Sequence, residues 1–245
     1  MIMTNGLTRN TARLFNNEGK IFVLAMDRGQ AGAVPGLEDV VGKMNATTKS
    51  ELDGYLVNLG PARRMAEGEL VNKKLLLRTS FGGSAFCGEY LPGHYNFISP
   101  ENALALGADA VVMMMSIGEG DAENIQHAAS AIDNYHSFGI PVIVEILSMD
   151  FDNTATYDVQ LNGARIASEL GADVVKAFFT ENFDTVVKCC QCPVILAGGP
   201  KGSDIYETAA AAVKAGVKGF AFGRNLFQAD DMAERISKFN AILRG

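Results

Sequence analysis

Lys176 lies inside the segment GADVVKAFFTEN (171–182), where its neighbours on either side are valine, alanine and phenylalanine. An ammonium group among such side chains is costly to desolvate unless it is paired, and that cost favours the neutral amine. A neutral amine is a nucleophile whose natural partner is a carbonyl carbon. The resulting Schiff base withdraws electrons and lets a neighbouring carbon–carbon bond break or form. The competing reading is that Lys176 points outward and snorkels past a helix to water, as most strand lysines do. The local pattern admits both.

Two glycine motifs supply a second kind of chemistry. AGGPKGSD (197–204) ends an apolar run in Gly198 and Gly199 and leads into a helical stretch, with Ser203 or Asp204 suited to its N-cap. FGRNLFQ (222–228) ends another run in Gly223 before a further helix. Glycines there let backbone N–H groups approach an anion closely, as in the phosphate sites of barrel enzymes. Either motif alone reads as a tight turn; both together favour phosphate binding.

Polar residues punctuate the other runs. Asp27 ends IFVLAMD directly and is the strongest of them; Arg28, Asn58, Arg78 and Ser80 occupy similar positions, where a capped loop or a surface pair is the commoner fate. Glu145, inside PVIVEIL, either enters the interior beside the amine or pairs with a flanking helix.

Positioning these groups needs a frame. The chain has 245 residues and shows short β-rich apolar runs at 21–27, 53–59, 74–80, 109–115, 141–147, 173–179, 193–199 and 219–225. Helical stretches lie between them, among them 121–138, 154–170, 202–215 and 228–243. Eight strand–helix pairs in this length predict a single-domain (β/α)8 TIM barrel over residues 1–245, with 1–20 as an N-terminal extension. Gly107, Gly139 and Gly171, spaced 32 residues apart, each close a helix and precede a strand, which marks a repeated unit. Inward positions would then be Ala110, Val112, Met114 and Ser116 on the fourth strand and Val174, Lys176, Phe178 and Thr180 on the sixth. Segment 80–98, a long Gly/aromatic connection, suits a lid over the mouth or a subunit contact.

A net charge of -7 and a pI near 5.0 argue against general nucleic-acid binding while leaving room for one local phosphate site. The opening residues lack the apolar core of a signal peptide and no apolar run reaches membrane-spanning length, so a cytoplasmic protein without membrane partners is expected. The four cysteines do not suggest a disulfide framework in a chain of this length, and Cys189, Cys190 and Cys192, with no second Cys/His pair at zinc spacing, read as buried structural thiols. Histidines at 94, 127 and 136 are scattered. No metal site is expected.

The blocks RLFNNEGKIFVLAMDRGQAGAVPGLED, GADVVKAFFTENFDTVV, CPVILAGGPK and GFAFGRNLFQ resemble the class I aldolase family that includes archaeal-type fructose-bisphosphate aldolase and the DhnA-like proteins. The resemblance runs from about residue 13 to 243. It implies that Lys176 corresponds to the Schiff-base lysine and Asp27 to the acidic residue of the first strand, with Glu145 a further candidate for proton transfer. Gly198, Gly199, Gly223 and Arg224 correspond to the group that holds a substrate phosphate. It also implies a small phosphorylated carbonyl substrate, no metal or other cofactor, and a higher homo-oligomer such as a decamer. Two positions depart from the pattern. Arg28 stands where many relatives have histidine, and Leu147 stands at or near the place of a proton-transferring tyrosine. Without that tyrosine, thiolase-like acyl transfer from a phosphorylated dione to coenzyme A is an alternative, as is a non-catalytic phosphate-binding barrel. Tyr55 or Tyr95 would be the substitutes if a tyrosine is needed.

Overall fold

The computed structural model describes residues 5–87, 92–199 and 205–245. Within them eight parallel strands close into a barrel in chain order: β1 (Ile21–Ala25), β2 (Gly54–Val57), β3 (Lys74–Arg78), β4 (Ala110–Ile117), β5 (Val142–Ser148), β6 (Val174–Ala177), β7 (Val194–Ala197) and β8 (Gly219–Phe222). Closure is by β8 on β1, from Ile21↔Gly219 to Leu24↔Phe222. Each strand starts and pairs inside an apolar run read from the sequence. β4 and β5 continue past their runs, because the ladder extends through Ser116↔Leu147 and Ile117↔Ser148.

The period-2 alternation of strand side chains divides these residues into two cores. Ile21, Val23, Ala25, Leu56, Leu76, Ala110, Val112, Ile143, Val174, Ile195 and Ala221 fill the barrel interior. The intervening residues, such as Phe22, Leu24, Leu77, Val111, Val144, Val175 and Phe220, pack outward against the helices. Each fully buried aliphatic or aromatic side chain contributes on the order of 1.5–3 kcal/mol. The buried layers leave polar groups only where a strand runs out.

Helices Ala122–His136, Tyr157–Glu169, Ile205–Ala215 and Met232–Arg244 answer four of the expected stretches. The last begins later than residue 228, because the Asp231 carboxylate accepts the Glu234 N–H at 2.8 Å and caps the helix there. Ser203 and Asp204, expected as a cap, lie outside the described residues. Gly107, Gly139 and Gly171 have φ of 71°, 70° and 102°, the left-handed conformation that ends a helix and admits glycine at least cost.

The segment before β1 has its own role. Helix Asn5–Leu14 lies beneath the barrel, with Leu14 packed among the interior residues. Asn10 Nδ2 donates to the Gly139 carbonyl at 2.8 Å, and Lys74 Nζ donates to the Arg13 carbonyl at 2.6 Å. One end of the barrel is thereby plugged, and the C-terminal ends of the strands form the open mouth.

After β3 the chain makes a short antiparallel ladder, Ser80–Phe81 with Tyr95–Asn96. The Ala85 N–H donates to the Gln30 carbonyl at 2.9 Å, which holds this part of the connection against the turn after β1. The clustered cysteines differ from expectation: Cys190 is buried but Cys189 and Cys192 are half-buried, because the CCQC turn sits at a helix–strand junction near the surface. Among the described residues no helix is long and apolar enough to cross a membrane.

Candidate active site

β5 and β6 pair in register with Glu145 opposite Lys176. Both side chains turn into the barrel, one step above the apolar layer of Ile143 and Val174, and Lys176 Nζ lies 2.8 Å from Glu145 Oε1. The amine is therefore interior and the carboxylate is beside it, which resolves both positions that the pattern left open. Their side chains are 6% and 8% exposed, so the pair is almost out of water.

The second acceptor oxygen of Glu145 is taken by Arg78, the last residue of β3, whose guanidinium also contacts Asp27. Arg78 Nε donates to Asp27 Oδ2 at 2.6 Å. Two cations and two carboxylates thus form a chain, Asp27–Arg78–Glu145–Lys176, with no net charge. Neutrality of this kind is what makes four buried ionic groups tolerable, since removing one partner exposes the others to the full desolvation cost. Burial by itself would raise the Glu145 carboxyl, but the charges of Lys176 and Arg78 and the hydrogen bonds they donate outweigh it and hold it down at about 2. Burial would likewise lower Arg78, and the two carboxylates reverse that direction. Glu145 is accordingly ionised at neutral pH and Arg78 is a permanent cation.

These groups line a cavity of about 190 Å3 at the mouth, with Met114, Leu147 and Phe178 as its apolar wall. On the opposite side it is bounded by Gly198, Gly223 and Arg224, from the turns after β7 and β8, and by Arg28 from the turn after β1. Burial and the neighbouring Arg28 both lower Arg224 from its ordinary value. Gly199 stands just behind this wall, its carbonyl 3.5 Å from Asn225 Nδ2. Lysine and glycine-bearing turns thus face one space, an arrangement with an amine at one side and cationic and backbone donors at the other.

His94 is a wall residue that the sequence reading left among scattered histidines. It comes from the connection between β3 and β4, where no periodicity assigns an inward direction; the only signal was the length of that connection. Burial and the adjacent Arg78 hold its ring at about 4, so it is neutral. Neither ring nitrogen has a partner among the described residues, although the residue is only 3% exposed. A second hollow of about 200 Å3 adjoins the first, with Arg28, Gln30, Ala31, His94 and Phe151 common to both.

The two tyrosines considered as substitutes are elsewhere. Tyr55 is on the outward face of β2, donating to the Met44 carbonyl at 2.8 Å, and Tyr95 is an exposed residue 4.8 Å from the His127 ring. Alternation along β2 sends Tyr55 outward because Leu56 points in. Among the described residues, no tyrosine lines the cavity, and no group of three or more His, Cys, Asp or Glu side chains is placed to hold a metal ion.

Comparison with known proteins bears on the family and the fold. The chain is 31% identical over 244 residues to the 2-amino-3,7-dideoxy-D-threo-hept-6-ulosonate synthase 1 of Archaeoglobus fulgidus, covering 98% of this chain and 92% of that one. It is 32% identical over 230 residues to a 3-hydroxy-5-phosphonooxypentane-2,4-dione thiolase of Enterobacter sp., covering 91% and 76%. Among solved structures it is similar to an archaeal fructose-1,6-bisphosphate aldolase whose catalytic lysine is covalently bound to the carbinolamine intermediate of its substrate. That similarity has a TM-score of 0.86 at 26% identity, over 98% of this chain and 100% of the other. Residues 22–229 match the DeoC/LacD family of aldolases. Because that match runs from β1 to beyond β8, the chain belongs to the DeoC/LacD family and is a class I, Schiff-base-forming aldolase.

Proposed function

We propose that Lys176 forms the Schiff base and that the substrate is a phosphorylated ketose or related carbonyl compound. The observation that carries this reading is an interior amine, 2.8 Å from a carboxylate, opening on the same cavity as Gly198 and Gly223. In the cleavage direction Nζ, held in place by Glu145, loses a proton to solvent and adds to the carbonyl carbon, forming a carbinolamine. Loss of water then leaves an iminium ion. Its electron demand draws the pair from the adjacent carbon–carbon bond, an aldehyde departs as the β-hydroxyl loses its proton, and the enamine left behind is protonated and hydrolysed. Lysine supplies the electron sink, so the reaction as written needs neither a metal nor another cofactor.

Asp27, oriented by Arg78, serves the oxygen that leaves the carbinolamine as water, and Glu145 orients Nζ through the 2.8 Å contact. The phosphate docks on the backbone of Gly198, Gly199 and Gly223 and on the Arg224 guanidinium, the place where barrel enzymes recurrently hold such groups. Family resemblance supports a homo-oligomer of about decameric size and a cytoplasmic setting. The test is borohydride treatment with a panel of ketose and aldose phosphates, followed by intact mass. A mass increment on the peptide containing Lys176 is expected; binding without any trapped adduct would sink the proposal.

A second reading is favoured by one observation, the apolar Leu147 and Met114 where a hydroxyl-bearing wall would assist cleavage. It is thiolase-like transfer of an acyl group from a phosphorylated dione to coenzyme A. Coenzyme A-dependent consumption of a dione phosphate, with no aldehyde released, would select it.

A further inference from the structure

We propose that His94 accepts the hydroxyl proton when the carbon–carbon bond breaks, with Arg78 Nη1 donating to the same oxygen. The assignment rests on the reading of Lys176 as the imine-forming residue.

Glu145 has both carboxylate oxygens engaged, and Asp27 has one of its two. Glu145 accepts from Lys176 through Oε1 and from Arg78 through Oε2, and Asp27 Oδ2 accepts from Arg78 Nε. His94 differs from both: its two ring nitrogens and Arg78 Nη1 are buried polar atoms with no partner among the described residues. Each such atom, left unsatisfied, costs about 1–3 kcal/mol. A guanidinium N–H can only donate, whereas a neutral imidazole offers a lone pair as well as an N–H. An alcohol oxygen that accepts from Arg78 and donates to His94 satisfies both, and the hydroxyl of an aldol is such a group.

Position agrees with this. His94 borders the cavity that contains Lys176 and also the adjoining hollow lined by Gly82, Gly83 and Ser84. A substrate bound to Lys176 and extending into that hollow has its breaking bond at the junction, beside His94. The hollow then receives the departing aldehyde. Asn124 Oδ1 accepts the His94 backbone N–H at 3.2 Å and holds the residue in place. A ring that is neutral at working pH has its lone pair available.

In the step itself, the electrons of the carbon–carbon bond move into the iminium and make the enamine. The O–H electrons make the new carbonyl, and the proton goes to the imidazole. The imidazolium returns it to solvent, and the enamine carbon takes its own proton afterwards.

His94→Gln and His94→Ala in the full chain test this, with Lys176→Met alongside, on whichever ketose phosphate of a panel the native enzyme cleaves. Both histidine variants should lose about 10²–10⁴-fold in cleavage. They should still give a borohydride-reduced adduct with dihydroxyacetone phosphate and still exchange its carbon-bound hydrogen for deuterium. Free imidazole should restore part of the His94→Ala activity. Lys176→Met should lose cleavage, adduct and exchange together; if it keeps the adduct, the lysine reading fails. If the histidine variants cleave at the native rate, or lose adduct and exchange along with cleavage, His94 is not the proton acceptor. A native enzyme that cleaves no ketose phosphate removes the step concerned and overturns the assignment as well.

Discussion

Lys176 Nζ and Glu145 Oε1 sit 2.8 Å apart on residues that are direct partners across β5 and β6. The pair is the inner end of a four-group chain in which Arg78 links Glu145 to Asp27. Each buried charge has a counter-charge, and the cluster opens on a cavity that also meets the turns after β7 and β8.

Replacing Lys176 by Met should abolish turnover and the borohydride adduct while leaving the barrel folded. Glu145 would keep Arg78 as its counter-ion, so the cost should be about 1–3 kcal/mol, below the ~3–5 kcal/mol expected when a buried charge loses every partner. Urea unfolding beside the trapping assay checks both halves.

Arg78→Met should be worse for stability than the lysine change. It strips Asp27 of the donor it has through Nε and takes from Glu145 one of its two cations, a loss on the order of 3–5 kcal/mol. Arg78→Lys should rescue little, since a single ammonium cannot span two carboxylates in the way a planar fork does. Denaturation midpoints of the two variants decide this.

Acid should weaken the fold in two stages. Burial and Arg78 lower His94 from 6.5 to about 4, so between those values the unfolded chain binds a proton that the native state refuses. Stability is therefore complete above about pH 6.5 and falls as pH drops toward 4. Glu145, lowered from 4.5 to about 2 against its burial, continues the loss between those limits, because the unfolded chain again takes the proton first. His94→Gln should remove the first stage, worth about 2–3 kcal/mol between pH 7 and 4.5. Urea titrations of both proteins across that range test it; parallel curves would count against it.

The turns after β7 and β8 should separate by contact. A Cβ on Gly223 would lie 2.9 Å from the Ala25 carbonyl oxygen, which is backbone and cannot swing away, whereas one on Gly199 meets nothing within 4 Å among the described residues. Gly223→Ala should destabilise by about 1–3 kcal/mol and Gly199→Ala by less than ~0.5 kcal/mol. Arg224→Ala, which removes one charged donor, should raise KM for a phosphorylated substrate roughly 10–100-fold with a smaller effect on kcat. Thermal melts and steady-state kinetics read these out.

Much of the barrel was legible because strand periodicity and helix-ending glycines are local properties of the chain. An apolar run of five to eight residues bounded by glycine announces a strand before any partner is known, and the 32-residue spacing of Gly107, Gly139 and Gly171 announces a repeated unit. The chemistry-bearing residues Asp27, Glu145, Lys176, Gly198 and Gly223 were visible as departures from those runs, and all of them line one cavity. Direction was not legible. Period-2 alternation says that Lys176 and Glu145 each take one of two faces; which face is interior is decided by ring closure and by the register that sets them opposite each other. Arg78 looked like any mouth residue because its value lies in two partners that are 51 and 67 positions away. His94, carried by a loop with no period, was placed entirely by tertiary contacts. Sequence thus determined which groups this protein can use, because composition and spacing act locally; their mutual distances, and with them the charges each one bears, arose only when closure of the barrel removed the water between them.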